Sequence, residues 1–343
     1  MRQQRQWVGT MTEIVNAVNR PARSVERSGP SVAIVIPAYN EERFIGRCVA
    51  SCLRQTSLPD EIIVVNNRST DGTETIVRRL QAENRHIPIR ILTQNEYQGI
   101  TPTRNCGFDQ VRSTVIGRID ADSVIAPNWV ATIRRRFRDP AVDAVTGPVF
   151  YYDMPLRQAT FRLDRAVRDR LHRKAKDQRF LFGSNMAVRA SAWRAVRHLT
   201  RLDLEDQLHE DIDLALALFK NGCDIEYERS LIAGLSGRRV ENSPRDFYRY
   251  ATRYLRTTKV HRVNSRTALM TIAILLMGYF PAHILRLFYD GESNRFTLAK
   301  LHDSRRHGST HRQVSGRLVG SRTGSFRPAH ALRPAVAVAM LGH

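Results

Sequence analysis

The chain has 343 residues, 42% of them hydrophobic, enough for one large domain or two modest ones with a full core. Its 54 Lys and Arg against 33 Asp and Glu leave a formal net charge of +21, which points to anionic partners: nucleic acid, an acidic membrane surface or phosphorylated substrates. Four cysteines without a Cys-x-x-Cys exclude a disulfide scaffold or zinc framework and suit a reducing cytoplasm.

Residues 1–30 are polar, carry Arg2, Arg5, Arg20, Arg23 and Arg27, and lack the apolar run of a signal peptide; they read as a mobile leader. Val32 to Ile36 is a short apolar run stopped by Pro37, as expected of a strand buried on both faces. Glu42 to Arg54 has helical spacing. Ile62 to Val65 is a second strand, followed by the polar loop Asn66 to Thr73. Asp71 with Glu74 three residues later reads as a capping box for the next helix. Ile87 to Leu92 is a third strand and Thr101 to Val111 a further helix. Val115, Ile116 and Ile119 then lead into Arg118-Ile119-Asp120-Ala121-Asp122-Ser123. This alternation predicts a mostly parallel α/β sheet flanked by helices, with ligands at the carboxyl ends of its strands.

Those ends hold Pro37-Ala38-Tyr39-Asn40-Glu41, the Asn66–Thr73 loop and the Asp120–Asp122 pair. Residues two apart in an extended chain point the same way, so both carboxylates can face one site if the strand persists. Close carboxylates repel unless a cation neutralises them, and Mg²⁺ or Mn²⁺ is the expected one. A surface turn also accounts for Asp-x-Asp. No Gly-x-Gly-x-x-Gly and no Gly-x-x-x-x-Gly-Lys is present. A diphosphate here would therefore be held by metal.

Residues 157–176 form a basic helical stretch, either a solvated face or a contact for an anionic membrane or acceptor. Phe180 to Val188 reads as a strand. Glu210 and Asp211 open a helix that Gly222 stops; they are dipole partners, or Asp211 is a general base. Ser243-Pro244-Arg245-Asp246 opens a helix rich in Tyr and Arg. Ala268 to Leu285 is the most apolar stretch, at the threshold for a membrane span, with Pro281, His283 and Arg286 against it; a core helix also fits. Basic residues from Arg253 to Arg266 would keep the catalytic part on the cytoplasmic face of the membrane, peripheral or single-pass. The boundaries expected are a leader (1–30), a catalytic domain (31–235), a basic, aromatic and apolar membrane-associated segment (236–289) and a disordered basic tail (290–343).

With Pro37–Glu41, Ser69–Thr73, Asp120–Asp122 and Glu210-Asp211 in that order, the chain resembles the family 2 inverting glycosyltransferases over about residues 31–235. The resemblance implies the A-type glycosyltransferase fold, with a Rossmann-like nucleotide half. It implies that Pro37, Tyr39, Asn40, Glu41, Asn66, Ser69, Gly99, Arg104, Asp120 and Asp122 bind the nucleotide sugar. Asp120 and Asp122 would meet ribose and the metal-bound diphosphate, and Asp211, beside Glu210, would deprotonate the acceptor hydroxyl. The acceptor would be lipid-linked or a polysaccharide. Asn66-Asn67 stands where the family often has Asp-Asp, so base preference stays open. Tyr250 to Tyr254 matches the processive synthases' Gln-x-x-Arg-Trp only at Arg253 and one aromatic. A sugar nucleotidyltransferase would open with a glycine-rich, arginine-bearing loop where Pro37–Glu41 stands. Nucleic acid is not an expected partner, because no helix-turn-helix or RNA-binding signature appears.

Overall fold

The computed structural model describes residues 29–174, 179–291 and 295–297. The expected leader, up to residue 28, and the expected tail, from residue 298, lie outside the described residues.

The first half alternates strand and helix: β1 (Val32–Ala38), α1 (Ile45–Leu53), β2 (Glu61–Asn66), α2 (Thr73–Glu83), β3 (Ile89–Thr93), α3 (Ile100–Asp109) and β4 (Val115–Arg118). There follow β5 (Val124–Ile125), α4 (Trp129–Arg136), β6 (Val142–Thr146), β7 (Val149–Tyr151), α5 (Arg157–Lys174), β8 (Met186–Arg189), α6 (Ala190–Val196) and α7 (Glu210–Lys220). The chain continues through β9 (Asp224–Tyr227), β10 (Ala233–Leu235), a 3₁₀ strap at Gly237–Glu241, α8 (Pro244–Val260) and α9 (Arg266–Leu287).

The main sheet runs β3-β2-β1-β4-β8-β6-β9. Its first four strands are parallel, β8 runs against both neighbours, and β9 is parallel to β6. The mostly parallel architecture read from the sequence is the one found. β1 explains why its run is continuously apolar. Val32, Ile34 and Ile36 face the core under α1 and α4, whereas Val35 faces the core under α3, α6 and α7. Each such side chain contributes roughly 1.5–3 kcal/mol by leaving water. Gly107 lets α3 lie close: a Cβ there would stand 2.4 Å from Val35 Cγ1 and 2.9 Å from Val65 Cγ2. A small second sheet, β5-β10-β7, sits at the carboxyl end.

Three local expectations need correction. Strand β4 ends at Arg118, and Asp120–Ser123 is a turn closed by Ser123 N–H on the Asp120 carbonyl at 2.9 Å. The two aspartates are therefore not alternate residues of a strand. Phe182–Asn185 is a turn as well, with Asn185 N–H on the Phe182 carbonyl at 2.9 Å, and β8 begins only at Met186. The reason is Asn185, which is fully buried. It donates to the Pro148 and Leu231 carbonyls at 2.9 and 2.8 Å and accepts from Trp129 Nε1 at 2.7 Å. No capping box forms at α2. Asp71 accepts from Thr73 N–H, Thr73 Oγ1 and Glu42 N–H, while Glu74 accepts from Asn66 Nδ2 at 2.8 Å and from Arg78.

Candidate active site

The loops after β1 and β2 are tied into one rim. Asn40 N–H donates to Ser69 Oγ at 3.0 Å, Thr70 N–H to Asn40 Oδ1 at 2.8 Å, and Glu41 N–H to Thr73 Oγ1 at 2.8 Å. Asn40 takes a left-handed φ of 53°, which an Asn tolerates through such local bonds. Pro37 lies within β1 opposite Val65, one residue before the strand ends at Ala38, and Tyr39 stands 50% exposed on the rim. Asn66 spends its amide inside the protein, donating to Glu74 and accepting from Ser69 N–H at 3.1 Å. Asn67 accepts from Gly99 N–H at 2.9 Å and so positions the start of α3.

Two arginines organise the acids. Arg238, from the strap, grips Glu41 with both terminal nitrogens at 2.9 and 2.5 Å and places Nε 3.0 Å from Asp122 Oδ2. Burial, with Asp120 and Glu41 nearby and Arg238 opposing, pushes the Asp122 carboxyl up to about 7. Arg118, itself buried, reaches Asp120 Oδ1 at 2.9 Å and Glu210 Oε1 at 2.8 Å through one nitrogen. It thereby joins the turn after β4 to the first residue of α7. Tyr152 steadies the same turn by donating to the Asp122 carbonyl at 2.8 Å.

Asp211 follows Glu210. Its carboxylate accepts from Gly183 N–H at 3.0 Å and from Ile212 N–H at 2.8 Å. Burial first and Glu210 second raise its proton affinity, against Gly183 N–H and Arg118, to a pKa of about 7. A carboxyl poised there can take a proton near neutral pH. Asp213 does not compete for this position: two residues of helix turn a side chain by about 200°. It lies 2.7 Å from His261 Nε2 and accepts from Arg201 N–H at 2.9 Å.

Arg104 lies beneath this wall, fully buried. It donates to the Glu210 carbonyl at 2.7 Å and to its neighbour Asn105, so its guanidinium props the start of α7. Sequence reasoning missed Arg118, Gly183 and Arg238. Only Arg118 carried a signal, its place one residue before Ile119-Asp120. Gly183 is required, because a Cβ there would stand 1.4 Å from Arg118 Nη1.

Among the described residues no group of three His, Cys, Asp or Glu side chains could cage a metal ion. The residues nevertheless fit Mg²⁺ or Mn²⁺ of the kind that takes one or two carboxylates and the rest from phosphate and water. Asp120 and Asp122 stand on one short turn and supply those two carboxylates.

Residues 33–198 match the family model for glycosyl transferase family 2. Glycosyltransferase GlyG of Streptococcus pneumoniae is 27% identical over 122 residues, 36% of this chain and 40% of that protein. Glycosyltransferase AglE of Haloferax volcanii is 32% identical over 122 residues, 35% of this chain and 40% of that protein. The chain thus spans well under two thirds of the length of these relatives. Among solved structures, the mannosyltransferase PcManGT from Pyrobaculum calidifontis, in complex with GDP-Man and Mn²⁺, superposes with a TM-score of 0.57. It shares 18% identity, with 88% of this chain and 84% of that one covered. Residues 33–198 thus match a glycosyl transferase family 2 domain, and the fold around them is the A-type glycosyltransferase fold.

Proposed function

We propose that this protein transfers a sugar from a nucleotide-diphosphate donor to a hydroxyl acceptor, inverting the anomeric carbon. The observation that carries this reading is the Arg118 bridge between Asp120 and Glu210. It supports a site with donor-side carboxylates on one wall and Asp211, whose carboxyl is raised to about 7, on the other. The family match and PcManGT's complex with GDP-Man and Mn²⁺ support a nucleotide sugar as donor.

The rim of Pro37, Tyr39, Asn40, Glu41 and Ser69, with Asn66 and Gly99 behind it, receives the nucleotide. Asp122 and Asp120 hold Mg²⁺ or Mn²⁺. When bound, such an ion offsets charge on the leaving diphosphate. Arg238 keeps Glu41 and Asp122 in place for this. Asp211 takes the proton of the acceptor hydroxyl on the sugar face opposite the diphosphate, and Glu210 and Arg104 fix the helix start from which it acts. The test is a panel of nucleotide sugars in a thermal-shift assay with Mn²⁺ and with EDTA. At least one donor should stabilise the wild type only with metal, and Asp122→Asn should remove that stabilisation while remaining folded. Equal stabilisation in EDTA sinks the metal assignment, and no response to any nucleotide sinks the donor.

The protein works at an anionic membrane surface, on its cytoplasmic face, with α9 lying in the interface. Ala268–Leu287 has a mean hydropathy of 1.9. One stripe of the helix (Ala268, Ile272, Tyr279 and Arg286) is buried against the protein, whereas Leu269, Met277, Phe280 and Ile284 on the opposite stripe are exposed. A helix held along one side and apolar along the other suits a peripheral position, and the +21 net charge suits acidic headgroups. This favours a lipid-linked acceptor over a free polysaccharide.

A further inference from the structure

Tyr279, His283 and Arg286, in the second half of the apolar helix α9, all reach the strap or the residue that ends it. Tyr279 OH donates to the Asn242 carbonyl at 2.6 Å. His283 Nδ1 lies 2.6 Å from the Val240 carbonyl. Arg286 Nε donates to Glu241 Oε1 at 2.7 Å. The face of Tyr279 also stacks on Phe247 of α8, centroids 4.3 Å apart. Groups of this polarity are costly on a helix meant only for lipid, so a second role accounts for them.

That role is visible at Asp153. Arg286 Nη2 donates to Asp153 Oδ2 at 3.0 Å, and its other terminal nitrogen donates to the Asp153 carbonyl. The same carboxylate accepts from Gly237 N–H at 2.6 Å and from Ser236 Oγ at 2.7 Å. Arg286 and Asp153 are each about 90% buried, at 9% and 7% exposure. One buried ion pair thus fastens the first residues of the strap, and the next residue is Arg238, whose guanidinium grips Glu41 and Asp122.

We propose that Arg286 is a positioning residue for the donor site: through Asp153 and the Gly237–Glu241 strap it sets the place of Arg238, which makes the apolar helix a structural part of nucleotide binding. The proposal rests on the donor-site reading above. Without the guanidinium, Asp153 is a buried carboxylate that has lost its charge partner. It relaxes, and its hold on Ser236 and Gly237 loosens. Arg238 can no longer meet two carboxylates at once, because a forked contact of this kind depends on where its backbone stands. Lysine at 286 cannot replace the fork that serves Asp153 and Glu241 together.

The test uses the full chain and titrates Mn²⁺ with UDP and with GDP into wild type, Asp122→Asn, Arg286→Met, Arg286→Lys, Arg238→Gln and the Arg286→Met/Arg238→Gln pair. Arg286→Met should weaken nucleotide binding about tenfold, the scale on which supporting residues act. Turnover at saturating donor should change little, so the loss falls on KM. The double variant should bind no worse than Arg238→Gln alone, because both changes act through one guanidinium. Hydrogen exchange of unliganded Arg286→Met should speed up at residues 236–242. Tyr279→Phe, which keeps the ring stack and removes one strap bond, gives a milder change of the same kind if Arg286→Met fails to fold. Wild-type affinity in a folded Arg286→Met, unchanged exchange at the strap, or additive losses overturn the proposal. If the wild type binds neither nucleotide, the donor reading falls and takes the proposal with it. If wild type binds, Asp122→Asn does not, and Arg286→Met matches wild type, only the role of Arg286 is wrong.

Discussion

Asp211 and Asp213 lie two residues apart on α7 in different settings, and their substitutions should separate chemistry from stability. Asp213 pairs with His261 inside the protein. Asp213→Asn should cost on the order of 1–3 kcal/mol, the range for disturbing a buried polar partnership, and leave turnover of the folded enzyme near normal; melting curves beside steady-state rates decide this. Asp211 holds its proton up to about 7, against an ordinary value of 3.8. The folded state therefore binds that proton more tightly than the unfolded chain. Its contribution to stability is present at low pH and lost as pH rises from about 4 to about 7. The melting temperature of Asp211→Asn minus that of wild type should increase from pH 5 to pH 8. The rate limited by this base should rise about tenfold per pH unit below 7 and level off above it. A flat difference in melting temperature, or a rate indifferent to pH 5–8, contradicts the raised carboxyl.

At the scale of elements, the turn Phe182–Asn185 decides whether the two walls of the site meet. Gly183→Ala should force Arg118 or the turn aside, since the added Cβ would overlap Arg118 Nη1. The expected result is a loss of about 1–3 kcal/mol in stability and a fall in turnover larger than that of a control such as Gly278→Ala, in α9 with open space around the added Cβ. Unchanged activity in Gly183→Ala means that Arg118 is not fixed as described. This turn also marks where sequence reading stops. Strands β1 and β2 were legible because each holds an unbroken apolar run followed by a turn signal, and β4 because Val115 and Ile116 lead into the Asp120 turn. Residues 180–188 have strand composition, yet Asn185 must serve the Trp129 indole and two carbonyls, and long-range partners of this kind leave no local pattern. β5, β7 and β10 are two or three residues long, too short for periodicity to register. Among site residues, the acids at 120, 122, 210 and 211 stood out because acids are scarce in this chain and arrive in a fixed order. Arg238 and Arg286 did not, because they are two among 54 basic residues and their partners lie far away in sequence.

Over the whole molecule, the basic surface and the apolar stripe of α9 point the same way. Full-length protein should sediment with vesicles containing anionic lipid and less with neutral ones. Met277→Asp with Phe280→Asp should release it, because two large side chains lose roughly 1.5–3 kcal/mol each, about a hundredfold or more in binding together. Both residues are exposed, at 71% and 59%, so the fold should survive. Protein that stays in the supernatant under every lipid composition contradicts a peripheral membrane position. The account as a whole stands on Asp211 acting as the base beside a nucleotide-sugar site. The most direct measurement is nucleoside-diphosphate release by wild type and Asp211→Asn, with the donor from the panel that stabilises the wild type, alongside the affinity of both proteins for that donor with Mn²⁺. The account predicts turnover lower by roughly 10²–10⁴ in the variant with donor affinity nearly unchanged. Turnover equal to wild type in Asp211→Asn, with the donor bound, would contradict it.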